Sequence, residues 1–154
     1  MLGYLDDEDE TNRIIQKHTD GQTWLLTGDL GYMDSDGFVY FKQRIKRMIV
    51  TSGYNVYPQS IENVLDSHPD VLYSCVIGLP DEYRGQSVKA YIVLKSGATL
   101  TENLENSIKE HCEKDIAIYA MPKAFEFRDS LPKTLVGKVD YRALELENYV
   151  VTER

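Results

Sequence analysis

Two apolar runs set close together, VLYSCVIGLP at residues 71–80 and VKAYIVLK at residues 88–95, constrain the fold more than any other feature of this chain. Each alternates as a strand does, and the turn-rich DEYRGQS between them is short enough for the two to pair in one sheet. Whatever else forms must pack on that sheet. Pro58 opens a helix with Ile61, Val64, Leu65 and His68 on one face. A second helix is predicted over residues 101–115, where Leu104, Ile108 and Cys112 recur every fourth residue and Thr99 and Glu102 have capping-box spacing. AFEFR supplies another short strand, and Asp140 begins a last helix over residues 141–149. From Met48 the order is strand, helix, strand, strand, helix, strand, helix. This is an α+β domain with a small mixed or antiparallel sheet flanked by helices.

Upstream of Met48 the pattern changes. Residues 1–20 are acidic and polar, with a short helix predicted at residues 11–17 and too little apolar surface to fold alone. WLLT, LGYM and FVYF then read as short strands, and Asp34 to Gly37, DSDG, has the chemistry of a hairpin turn. The offsets required of a calcium loop are not met beyond DSDG.

With 154 residues the chain has the length of one domain, and its net charge of -8 opposes a general nucleic-acid or membrane-surface role, since both partners are polyanions. Any anionic ligand must be met locally. No leader or membrane-length apolar run is visible, and Cys75 and Cys112 lack metal-ligand spacing, so a soluble cytoplasmic protein with two reduced, buried thiols is expected. His18, His68 and His111 look isolated, with no metal site to be built from them.

One lysine stands out. In LPKTLVGKVDYRAL, Lys138 follows Gly137 just before a helix start. A Walker loop is excluded by Pro132 and Val139, which stand where that motif needs glycine and Ser or Thr. Stiffened by Pro132 at one end and loosened by Gly137 at the other, the loop is suited to present an ammonium as a movable point charge toward an oxygen whose charge grows in a transition state.

This stretch resembles the terminal catalytic motif of the adenylate-forming enzymes, the superfamily of acyl-CoA synthetases, luciferases and peptide-synthetase adenylation domains. WLLTGDLGYMDSDGFVYF is similar to the family's Thr-Gly-Asp motif, RIKRMIVTSGYNVYPQSIE to its hinge and following loop, and IYAMPK to its Tyr-x-x-Pro segment. The resemblance spans practically the whole chain. It implies that residues 1–45 are the tail of a large N-terminal AMP-binding domain and residues 46–154 a C-terminal lid domain, the chain being part of a longer enzyme.

By position, the resemblance implies that Asp29 accepts hydrogen bonds from the ATP ribose, that Arg44 approaches ribose and phosphates, and that Lys46 is the hinge. Lys138 would stabilise charge during adenylate formation, and Gly53 and Arg84 would lie along the CoA path, although each also reads as an ordinary turn residue. ATP, CoA and a carboxylic acid, fatty by overall likeness, are the implied substrates. Magnesium would have its ligands in the absent large domain. Three positions depart from the family's usual residues: Gln43, Arg47 and Ser60. Alternatives are a non-catalytic nucleotide- or CoA-binding module and an adenylation domain serving a carrier protein. Exposed inter-domain surface would favour self-association through residues 1–41.

Overall fold

A computed structural model describes residues 1–152 and divides into two compact units, the first Met1–Lys46 and the second beginning at Arg47. No described helix is long and apolar enough to cross a membrane.

The first unit holds helix α1 (Glu8–Ile14) and two hairpins, β1 (Ile15–Lys17) with β2 (Thr23–Leu25) and β3 (Asp29–Met33) with β4 (Val39–Arg44). Helix α1 starts earlier than the predicted residues 11–17 because the Asp7 carboxylate caps it, accepting from the Glu10 amide, and three acidic residues follow in the first turn. The chain has already turned into β1 by Ile15. In the β3–β4 turn the Asp34 carboxylate accepts from the amides of Asp36 (3.0 Å) and Phe38 (2.9 Å), and Gly37 takes φ 87°. DSDG is thus committed to its own backbone.

The second unit runs β5 (Ile49–Thr51), β6 (Tyr54–Val56), α2 (Pro58–Asp66), β7 (Val71–Asp81), β8 (Gly85–Leu94), α3 (Glu102–Asp115), β9 (Ala124–Phe127) and α4 (Tyr141–Thr152). The predicted hairpin is its centre: β7 and β8 pair antiparallel from Val71↔Leu94 to Asp81↔Gly85. Strand β8 also pairs with β5 at Gly85 and, in parallel, with β9 over Lys89–Ile92. The α+β architecture and four of the sheet's five strands were legible in the sequence. Strand β6 was not, because YNV is too short to be separated from the adjoining loop by pattern.

Alternation sends the two strands' side chains to two cores. Val76, Val88, Ala90 and Ile92 pack with Ile61 and Leu65 of α2 and Ile108 and Cys112 of α3. Cys75, Ile77, Tyr91 and Val93 pack with Leu131, which precedes α4, and with Leu144 of α4. Burial on both faces explains why these strands are apolar nearly throughout. On the second face, the Tyr91 hydroxyl accepts from Asn148 Nδ2 (2.6 Å), and Lys89 and Arg128 share Glu126 at 2.7 and 2.6 Å.

The α3 cap differs from expectation. Thr101, not Thr99, is the N-cap, its hydroxyl accepting from the Leu104 amide. With leucine at the third helical position there is no reciprocal glutamate, so the capping box is absent. Helix α4 begins where predicted, the Asp140 carboxylate accepting from the Ala143 amide, and runs on to Thr152.

Both cysteines are free and buried. Burial pushes the Cys75 thiol up to about 12, helped by Glu62, and that of Cys112 up to about 11. Because the thiolate is the reactive form, alkylation of the native chain at pH 8 should be at least about a hundredfold slower than that of an exposed thiol. Two equivalents should label in urea. Rapid labelling of either thiol without denaturant, followed by mass spectrometry, would contradict this burial.

Candidate functional site

Three residues singled out from the sequence meet at the end of the β3–β4 hairpin. Asp29 and Arg44 are register partners, which places Arg44 Nε 3.0 Å from Asp29 Oδ1. The Ile45 amide donates to the Gly28 carbonyl (2.9 Å) and closes the hairpin end. Asp29, Arg44 and Lys46 line an open cleft of about 630 Å³ together with Thr27 and Arg13. A carboxylate beside a guanidinium and an ammonium offers acceptors for hydroxyls and donors for phosphate in one place.

In the second unit, Gly53 and Arg84 also come together. The Ser52 amide donates to the Arg84 carbonyl (2.8 Å), and the Val50 amide to Gln86 Oε1 (2.8 Å). Ser52 at φ 50° and Gly53 at φ 81° make the two-residue turn that joins β5 to β6. Such turns need positive φ at both central positions, so the turn alone accounts for Gly53. A Cβ there would meet nothing within 4 Å. Asp81 organises the neighbouring turn, its carboxylate accepting from the Tyr83 and Arg84 amides and from Lys123 at 3.0 Å. The Lys123 bond holds that carboxyl below its usual range. Tyr119 of the IYAMPK segment stacks on Tyr54 with ring centres 4.5 Å apart. A groove of about 220 Å³ lies alongside, lined by Asn55, Tyr57, Ser60, Ile116 and Tyr119 among others.

Lys138 stands at the end of a small hydrogen-bonded hairpin. Lys133 bridges to Val139, the Thr134 amide donates to the Lys138 carbonyl (2.7 Å), and the Gly137 amide donates to the Thr134 carbonyl (2.8 Å). The Lys138 amide adds a bond to Thr134 Oγ1 (3.2 Å), and the Asp140 amide one to the Pro132 carbonyl (2.8 Å). Gly137 at φ 79° is the residue this turn requires, not a loosening element. The backbone that carries Lys138 is therefore constrained, and the freedom lies in its exposed side chain. Leu135 and Val136 at the tip are exposed too.

The residues that sequence reasoning missed are Arg47 and Glu62. The Arg47 fork meets the Glu62 carboxylate at 2.5 Å (Nη2 to Oε1) and 3.2 Å (Nη1 to Oε2), and Nη2 also reaches the Val76 carbonyl at 3.2 Å. The Val76 amide returns a bond to Glu62 Oε1 (2.8 Å). The Arg47 guanidinium lies 5.0 Å from the centre of the Tyr141 ring. Burial pushes the Arg47 pKa down, but the hydrogen bond and charge of Glu62 hold it above its ordinary value. The available signal was an acid in the apolar stripe of α2: Glu62 falls between Pro58, Ile61 and Leu65, all buried. A charge in that position requires a buried partner.

His68 and His111 are not isolated. Their rings meet edge to face with centres 5.3 Å apart, where the end of α2 crosses α3, and each takes a serine partner, Ser107 at 3.2 Å and Ser67 at 2.8 Å. They are packing groups between two helices.

Comparison with known proteins adds four findings. The family model described as AMP-binding enzyme C-terminal domain matches residues 60–138. A long-chain-fatty-acid–CoA ligase of Bacillus subtilis is 44% identical over 153 residues, which cover 97% of this chain and 26% of that enzyme. A 3-[(3aS,4S,7aS)-7a-methyl-1,5-dioxo-octahydro-1H-inden-4-yl]propanoyl:CoA ligase of Rhodococcus jostii is 41% identical, covering 96% of this chain and 27% of that ligase. Among solved structures, ATP-bound MatB from Rhodopseudomonas palustris superposes with a TM-score of 0.81 at 34% identity, covering 94% of this chain and 27% of that one. The chain spans about a quarter of the length of these relatives.

Proposed function

The chain belongs to the AMP-binding enzyme C-terminal domain family, and from that premise we propose that it serves as the C-terminal portion of an ATP-dependent carboxylic acid–CoA ligase. In the first half-reaction an acid oxygen attacks the α-phosphorus of ATP and the bond to pyrophosphate breaks. In the second, the sulfur of CoA attacks the acyl carbon and AMP leaves. Asp29 accepts from the ribose hydroxyls, and the Arg44 fork meets ribose and phosphate oxygens. Lys138 places its charge on the oxygens shared by acid and phosphate as their negative charge grows. Lys46 is the pivot at which torsion changes exchange the Lys138 face for the Gly53 and Arg84 loops between half-reactions.

The observation that carries this reading is the grouping of Asp29, Arg44 and Lys46 in one cleft. In this reading residues 1–45 complete a larger AMP-binding domain, which holds the acyl pocket and the ligands of the magnesium that accompanies ATP. No described trio of His, Cys, Asp or Glu side chains offers that ion a site here. A fatty acid is the proposed substrate, on the strength of the Bacillus subtilis relative's name. The enzyme is cytoplasmic, and the isolated chain is inactive and self-associates through the exposed apolar side chains of residues 1–41.

The test joins this chain to the part of the Bacillus subtilis ligase that it does not cover, in place of that enzyme's own segment. AMP release is then measured across fatty and aryl acids, with and without CoA. Release that needs both an acid and CoA supports the reading. A folded chimera that turns over no faster than the truncated parent would refute it.

A further inference from the structure

The boundary between the two compact units falls directly after Lys46, and the next side chain is a heavily tied cation. Through one guanidinium Arg47 reaches three elements: Glu62 on α2, the Val76 carbonyl on β7 and the Tyr141 ring in the first turn of α4. Its side chain is 19% exposed and that of Glu62 8%, whereas Arg44 just upstream is 65% exposed and, among the described residues, paired only with Asp29. The backbone thus passes from a lightly held cation to a clamped one within three residues. Tyr141 stands three residues after Lys138, and the hairpin that carries Lys138 is closed just before Tyr141 by the Asp140 amide on the Pro132 carbonyl.

We propose that Arg47 is a positioning residue that clamps the trailing end of the pivot and couples it, through Tyr141, to the base of the Lys138 hairpin. Bending is then confined to the residues before Arg47, and the Lys138 hairpin moves as one body with the chain that leaves the pivot. A lysine cannot substitute. Its single ammonium does not span both carboxylate oxygens and a carbonyl, and it presents no planar face to the ring. The part concerning Lys138 chemistry rests on the ligase reading; the clamp itself does not.

Hydrogen exchange on this 154-residue chain tests the clamp without any assay of activity. Arg47→Lys should speed exchange of the Val76 amide and of the Ala143 and Leu144 amides about tenfold, the scale of a lost cation–π contact and fork, with the amides of α3 unchanged. An unchanged first turn of α4 would overturn the coupling. If Arg47→Lys unfolds the chain, Tyr141→Leu decides: it leaves the Glu62 pair intact, so Ala143 and Leu144 should exchange faster while Val76 does not. Equal acceleration of α3, or no local change, would sink the proposal.

In the active chimera, Arg47→Lys should lower adenylate formation about tenfold and leave transfer from supplied acyl-adenylate within about twofold, a split that a general loss of folded protein does not produce. Equal losses in both steps would remove the role in positioning Lys138. A chimera with no acid-dependent activity would instead remove the ligase reading, and the exchange result would still decide the clamp.

Discussion

Lys138→Ala is expected to slow acid-dependent adenylate formation about 10²- to 10³-fold, the cost of removing one pre-positioned donor from a growing negative charge. Thioester formation from supplied acyl-adenylate should change little, because in the proposed second half-reaction the Gly53 and Arg84 loops take the place of Lys138. The constrained hairpin is why the effect is large: three backbone bonds and one from the Lys138 amide to the Thr134 hydroxyl fix the Cα from which the ammonium extends. The side chain is exposed and has no partner among the described residues, so its truncation should leave thermal stability of the isolated chain unchanged. Lys138→Arg keeps the charge but not its compact shape, and should recover only part of the rate. Pyrophosphate exchange and single-turnover thioester formation in the chimera measure the two steps separately. Equal losses would show that Lys138 acts on binding or folding and not on the first transition state. Acetylation of Lys138 removes the same charge and should reproduce the alanine result.

Glu62→Ala should have the largest effect on stability, about 3 to 5 kcal/mol, because it leaves the Arg47 guanidinium buried without its counter-charge and the Val76 amide without its acceptor. Urea unfolding of the isolated chain, followed by circular dichroism, reads this as a lower midpoint. Glu62→Gln retains an acceptor for Val76 and should fall between wild type and alanine. The Asp29–Arg44 pair is a useful contrast. Exposed to solvent, it gains little over hydration, and Asp29→Ala should cost less than about 1 kcal/mol. A Glu62→Ala midpoint no lower than that of Asp29→Ala would mean that the buried pair contributes nothing to the fold.

The two largest effects differ in how readily they could have been foreseen. Lys138 was legible because its surroundings, Pro132, Gly137 and a helix start, are contiguous in the chain, and three other local stretches agree with it. Glu62 and Arg47 were not. They stand 15 residues apart, on a helix and on the 3-10 turn Ile45–Arg47, and nothing local specifies that the α2 stripe turns its one acid toward the chain leaving Lys46. The departure from family pattern at Arg47 has its physical account in that pairing. Thr99 was mistaken for the α3 cap on spacing alone, since a hydroxyl two residues nearer the helix competes for the same first-turn amides. Gly137 closes the loop that its sequence context suggests it would loosen, because the same φ freedom serves both and only the partner of its amide distinguishes them.

What the sequence determined by itself is whatever depends on short-range periodicity and turn chemistry. The β7–β8 hairpin, the helices at Pro58 and Asp140, the DSDG turn and the choice of candidate site residues all follow from neighbours within a few positions. Tertiary structure alone decided which residues become neighbours across the sheet. It sent Cys75 and Ile77 to one core and Val76 to the other, set the Arg84 turn against the Ser52 turn, joined His68 to His111, and closed Arg47 onto Glu62 and Tyr141. Those contacts arise because β8 accepts partners on both edges and helices on both faces, and a strand's own pattern records burial but not the identity of what buries it.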